Sequence, residues 1–199
     1  MEALFFSPFI ILTIACVLGF FAAWGIGAND VANAMGTSVG SKALTLKQAV
    51  IIAAIFEFLG AFLAGGEVTS TIRKGIVDPL LYQDDVNIFI VGMMATLLAT
   101  GSWLMLASRN GWPVSTTHSI VGAIVGFVLI TKGSGAVSWD KIFEIASSWI
   151  TSPLISALLA FFIFKSVKML IIDSKNRSKA AVNLIPIYVI LVIFVILQV

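Results

Sequence analysis

Long apolar runs broken by short polar clusters set the pattern of this chain. Residues 3–24 are almost wholly apolar and lead into Gly25-Ile26-Gly27-Ala28-Asn29-Asp30-Val31-Ala32-Asn33-Ala34. Further apolar runs cover 49–65, 88–107, 120–130, 142–164 and 184–199. Continuous runs approaching twenty residues are the length of membrane-spanning helices, whereas barrel strands alternate over short segments. The first helix is expected to end or break near Gly25-Ile26-Gly27, because paired glycines weaken a helix interior. Residues 67–86 hold Glu67, Arg73, Lys74, Asp78, Asp84 and Asp85 and read as an extramembrane loop with at most a short helix.

The remaining breaks are shorter. Ser108-Arg109-Asn110-Gly111 reads as a turn, and Trp112-Pro113-Val114-Ser115-Thr116-Thr117-His118-Ser119 leads into the run 120–130, with Pro113 placed in the first helical turn. The most basic segment is 165–180, where Lys165, Lys168, Lys175, Arg177 and Lys179 face only Asp173. Such a segment belongs on the cytoplasmic side, and the acidic 67–86 stretch then fits the outside. Five full crossings before Lys165 satisfy this, as do three if 88–107 and 120–130 form a hairpin that enters and returns. The final run of sixteen residues is short for a span and reads as the start of a helix in a longer protein. The domain layout is therefore a membrane repeat over 1–164, a basic cytoplasmic loop over 165–183 and the beginning of a further transmembrane helix over 184–199.

Composition sharpens the class. Of 199 residues, 59% are hydrophobic and 11% charged, against about 25% charged in soluble domains. The chain is an all-α polytopic membrane protein on this count. A net charge of +2 offers nothing to nucleic acid. Cys16 is the lone cysteine and has no internal partner for a disulfide, so it reads as a packing residue. The early residues carry Glu2 rather than a basic start, so the first run reads as a retained span and not a cleaved signal. Trp112 and Trp139 suit interfacial anchors.

Two polar constellations carry the chemistry. A carboxylate at a helix centre in the bilayer costs roughly 2.5–3.5 kcal/mol even on insertion scales, so Asp30 and the mid-span Glu57 invite a functional account. Asn29 and Asn33 lie four apart and share a helical face. With Asp30 they offer hard oxygen ligands suited to Na⁺, or a proton site at Asp30, and no cluster of soft ligands accompanies them. Around Ser115, Thr116 and Thr117, hydroxyls stand beside unpaired backbone N–H groups at a helix start, a cradle for an anion. Broken or re-entrant helices that place such termini toward an anion and carbonyls toward a cation recur in transporters. The plainer readings are a helix cap for Asp30, ordinary capping hydroxyls for Ser115 to Thr117 and a hydrogen-bonded packing role for His118. No nucleophile with a paired base is visible, which argues against an enzyme.

The motif from Gly27 to Ala34, the motif from Pro113 to Ser119 and Glu57 within Phe56-Glu57-Phe58-Leu59-Gly60 together resemble the inorganic phosphate transporter (PiT) family. The resemblance implies broken or re-entrant helices and two inverted repeats, each with one copy of both motifs. This chain has one copy of each, so it is similar to one half of an inverted-repeat transporter. It further implies cation-coupled phosphate symport by alternating access at the cell membrane, Na⁺ favoured over H⁺, with no cofactor beyond the coupling ion. Carried over, Asn29, Asp30 and Asn33 form the Na⁺ site, Ser115, Thr116 and Thr117 bind inorganic phosphate, and Glu57 sits in the ion pathway. The expected partners are the lipid bilayer and a second repeat or partner chain, with a homodimer as a further option. The alternatives are an H⁺-coupled sulfate permease of the same fold and a non-transporting scaffold packed through Gly36/Gly40 and Gly122/Gly126.

Overall fold

The computed structural model describes residues 5–196, without the side chains of residues 64, 67–75, 195 and 196. Six α-helices carry the chain: α1 (Pro8–Gly40), α2 (Leu46–Gly75), α3 (Val86–Arg109), α4 (Thr116–Lys132), α5 (Trp139–Val167) and α6 (Arg177–Ile196). Short 3₁₀ turns at Pro79–Tyr82 and Ser134–Ala136 and a π-turn at Lys168–Ile172 complete it. No strand occurs among the described residues, and five of the helical segments are long and apolar enough to cross a membrane. The protein is an all-helical, multi-pass membrane protein. It divides into two units, the first ending at Ile142 and the second beginning at Phe143.

Local chemistry fixes where the helices of the first unit start and stop. Ser7 caps α1 and Pro8 follows in the first turn, where its missing N–H costs no helical bond. Thr45 and Gln48 form a reciprocal capping box at the start of α2. Gly111 and Gly133 adopt φ of 68° and 79° on either side of α4, conformations that a side chain would strain.

Helix α1 runs unbroken through Gly25 and Gly27, contrary to the expected end or break. The physical reason is packing. A Cβ on Gly25 would stand 3.1 Å from the Leu104 Cβ and 3.3 Å from the Gly101 carbonyl oxygen, and one on Gly101 would meet the Phe21 ring at 2.6 Å and the Ala22 Cα at 3.1 Å. The glycines are therefore a contact surface between α1 and α3. At Gly36, Gly40, Gly122 and Gly126 a Cβ would meet nothing within 4 Å, so these four do not perform this role among the described residues.

The two helices run parallel. At one end the Phe5 N–H donates to Asn87 Oδ1 at 2.9 Å, and at the other Asn29 Nδ2 donates to the Trp112 carbonyl at 3.0 Å. Helix α4 folds back along α3. Its last residue, Lys132, donates to Asp85 at 2.5 Å, and Phe127 stacks on Tyr82 with ring centroids 5.4 Å apart. A Cβ on Gly92 would fall inside the Phe127 ring at 2.0 Å, so this glycine admits the aromatic. With 17 residues α4 is about 25 Å long, short of a hydrocarbon core of about 30 Å. Helix α3, with 24 residues, is about 36 Å long and is itself one of the five candidates for a crossing, so α4 alone falls short of a full span.

Other expectations move at their edges. The backbone of α2 continues to Gly75, so 67–75 is helix rather than loop, and the side chains of Glu67, Arg73 and Lys74 lie outside the described residues. Pro113 precedes α4 in the irregular linker and is not in the first turn, since Ser115 is the cap. In the second unit the helical path continues through the π-turn to Ile172 and resumes at Arg177. The expected basic loop over 165–183 thus shrinks to a short turn, and the last helix begins before residue 184. Expectations for residues 1–4 and 197–199 fall outside the described residues.

Gly101→Ala should lower stability by about 1–3 kcal/mol through overpacking, whereas Gly27→Ala, with open space around it, should be neutral or stabilising by up to about 1 kcal/mol. Equal thermal midpoints in detergent for the two variants would contradict the crossing. The Asp85 hydrogen bond raises Lys132 above its ordinary 10.5, so the pair's contribution is present below pH 10.5 and lost as pH rises through the raised value. Alkaline titration of hairpin opening should show that loss, and Lys132→Met should abolish the titration.

Candidate functional site

The site forms where the break between α3 and α4 meets the middle of α1. After Asn110 and Gly111 the chain runs without regular secondary structure from residue 112 to 115, where Pro113 disfavours helix at the residue before it. An irregular linker in a membrane protein leaves backbone groups to be satisfied, and Asn29 satisfies two of them. Its Nδ2 donates to the Trp112 carbonyl at 3.0 Å and its Oδ1 accepts from the Val114 N–H at 3.4 Å. The same Oδ1 accepts from Asn33 Nδ2 at 3.2 Å. Asn29 itself is 5% exposed, while the three bonds are part-buried because Asn33 and Trp112 reach the surface.

One helical position on, Asp30 Oδ2 accepts a hydrogen bond from the Thr116 hydroxyl at 2.9 Å. The two polar motifs, 86 residues apart in sequence, are in direct contact. Thr116 is the first residue of α4, and Ser115 caps it by accepting from the His118 N–H at 3.3 Å. The Ser119 N–H bonds the Ser115 carbonyl at 3.1 Å. The N–H groups of Thr116 and Thr117 therefore remain without intrahelical acceptors, and the positive end of the α4 dipole points out with them.

Beside this terminus lies an open cavity of about 420 Å³ walled by Trp103, Pro113, Val114, Ser115, His118 and Ser119. Trp103 and Trp112 sit with ring centroids 6.4 Å apart at its edge. Of the residues expected to hold an anion, Ser115 lines this space and Thr116 and Thr117 do not. Glu57 is exposed on α2 and takes no part in the hydrogen bonds that join α1 to the α3–α4 linker. The structure thus brings Asn29, Asp30, Asn33, Ser115 and Thr116 together, with Thr117 next in the helix, and leaves Glu57 apart. Sequence reasoning missed the Asn29 contacts with Trp112 and Val114 and the Trp103 wall. An asparagine four residues from another, followed far along the chain by a Trp-Pro break, was the available signal.

Matched against known families, residues 26–199 fit the phosphate transporter family. The chain belongs to that family. It is 52% identical over 182 residues to the "Putative phosphate permease" of Haemophilus influenzae, covering 92% of this chain and 43% of that protein. It is 49% identical to "Inorganic phosphate transporter 2-1, chloroplastic" of Arabidopsis thaliana, over 87% of this chain and 30% of that one. A solved structure described as "The sodium-dependent phosphate transporter" superposes with a TM-score of 0.81 at 43% identity, over 86% of this chain and 42% of the other. The chain therefore spans less than half the length of these family members.

Asn29→Ala should free the linker while leaving α1 intact. The expected result is faster hydrogen exchange at the Val114 amide, by roughly tenfold to a hundredfold, the equivalent of the 1–3 kcal/mol carried by buried groups that lose a partner. An unchanged exchange rate would show that the linker is held by other contacts.

Proposed function

We propose that this chain is one repeat of a Na⁺-coupled inorganic phosphate symporter of the cell membrane, completed by a second repeat or partner chain and working by alternating access. The observation that carries the reading is the hydrogen bond from Thr116 to Asp30. It ties a helix N-terminus suited to an anion to a carboxylate suited to a cation. The family match and the sodium-dependent structural neighbour support the same substrates. Transport, rather than catalysis, is the activity assigned.

The geometry refines the roles. Asn29 commits both ends of its amide to the linker and acts as a positioning residue for the site. Asp30 keeps one carboxylate oxygen, and Asn33 keeps its carbonyl oxygen, for a hard cation such as Na⁺. The N–H groups of Thr116 and Thr117, with the hydroxyls of Ser115 and Thr117, would hold the phosphate oxygens. Phosphate carries roughly one to two negative charges near neutral pH. Each pair of like unit charges about 4 Å apart costs about 4 kcal/mol at an effective dielectric of about 20. A carboxylate beside the anion therefore opposes phosphate binding until a cation lies between them, which makes coupling a matter of electrostatics.

Phosphate binding to the purified chain, measured by calorimetry, should weaken at least tenfold when choline replaces Na⁺. Asp30→Asn should remove that Na⁺ dependence, and Thr117→Ala should cost about 1.5–3 kcal/mol for a lost hydrogen bond to a charged group. Phosphate binding indifferent to Na⁺ in the unaltered chain would overturn the coupling. Sulfate competing as well as phosphate would overturn the substrate.

A further inference from the structure

The second unit carries a feature that the transport reading leaves unused. Helix α5, its terminal π-turn and α6 form an antiparallel pair whose facing residues enclose a groove of about 310 Å³. Its walls include Ile163, Val167 and Ile171 on one side and Ile185, Val189 and Ile193 on the other, with the Tyr188 ring between them. The Tyr188 hydroxyl is held by Ser166 Oγ at 2.7 Å, and Ser166 in turn donates to the Ile163 carbonyl at 2.7 Å. The one polar group of the lining is thereby satisfied on the helices, and what the groove offers an occupant is aliphatic.

The end of the groove near Ile171 and Ile185 opens at the basic turn. Lys168, Lys175, Arg177 and Lys179 are exposed there, and among the described residues none of the four forms an ion pair. Asp173 is the lone carboxylate of the segment. Lys165 lies back over the Phe161 ring at 5.9 Å, one turn away from the basic turn, and so stands apart from the cations at the mouth. An aliphatic slot with unpaired cations at its mouth has the two-part chemistry of an anionic amphiphile.

We propose that the α5–α6 pair binds one anionic phospholipid, its acyl chain in the groove and its phosphodiester among Lys168, Lys175, Arg177 and Lys179. Charge complementarity singles out this occupant. A second protein helix would fill the aliphatic walls and leave the cations unanswered, whereas clusters of four or more basic residues next to a membrane helix attract acidic headgroups.

The test uses the purified full chain exchanged into an equimolar mixture of phosphatidylglycerol and phosphatidylcholine, with bound lipid counted by native mass spectrometry. Phosphatidylglycerol should be retained over phosphatidylcholine. Lys168→Gln combined with Arg177→Gln, both at exposed positions that leave folding intact, should erase the headgroup preference, by about fivefold for each cation removed. Val189→Trp should fill the groove and release both lipids. Equal retention of the two lipids, a charge variant with wild-type preference, or a Val189→Trp protein that changes oligomeric state while keeping its lipid would each overturn the proposal. Displacement of the lipid by millimolar inorganic phosphate alone would also overturn it, because the acyl chain would then contribute nothing.

Discussion

Lipid gives two helices little hydrophobic reason to associate, so their packing must come from close fit and from polar groups with nowhere else to go. The contact between α1 and α3 uses both. Gly25 and Gly101 remove the Cβ atoms at the crossing, and Asn87 and Asn29 supply a hydrogen bond at each end. Between those bonds the two helices advance by nearly the same number of residues, so they lie in register along their shared length. The position of Trp112 relative to Asn29, and with it the start of α4, follows from that register. A shift of one helical residue would carry the Asn29 amide past the linker it satisfies.

The spans and the two polar motifs were legible because a bilayer punishes charge and unpaired backbone severely enough to leave a pattern. The Asn29–Asn33 pairing followed from helical spacing alone. The place of the break did not. Gly25 and Gly27 look like helix breakers by propensity, yet Gly25 serves α3 and the true interruption lies between α3 and α4. Gly36 and Gly40 have the same small-residue spacing, yet among the described residues a Cβ on either would meet open space. Spacing says which residues share a face and is silent about what that face meets. Likewise nothing local in the sequence pairs Asn29 with a carbonyl 83 residues away, or Asp85 with Lys132.

Helix ends were misplaced in a consistent direction. Residues 67–75 and 165–172 read as polar and therefore as loops, but the backbone stays helical through both. A charged side chain ends a membrane span without ending a helix, because intrahelical hydrogen bonds persist into water and charged residues are acceptable helix formers. Helix α1 makes the same point: its 33 residues reach about 50 Å, well beyond a hydrocarbon core of about 30 Å. Hydropathy delimits the bilayer crossing, and capping groups such as Thr45 with Gln48, or Ser115, delimit the helix.

The clasp between Lys132 and Asp85 and the bond between Thr116 and Asp30 hold α4 at its two extremities, each to a different partner. Sliding along its own axis would stretch both at once. Swinging outward would break one and bend the other. The motion that both ties permit is a roll about the line joining them, with Thr116 and Lys132 as the pivots. Such a roll would sweep His118 and Ser119 past the Trp103 wall while Asp30 keeps its partner, so the cavity wall would turn about a stationary carboxylate.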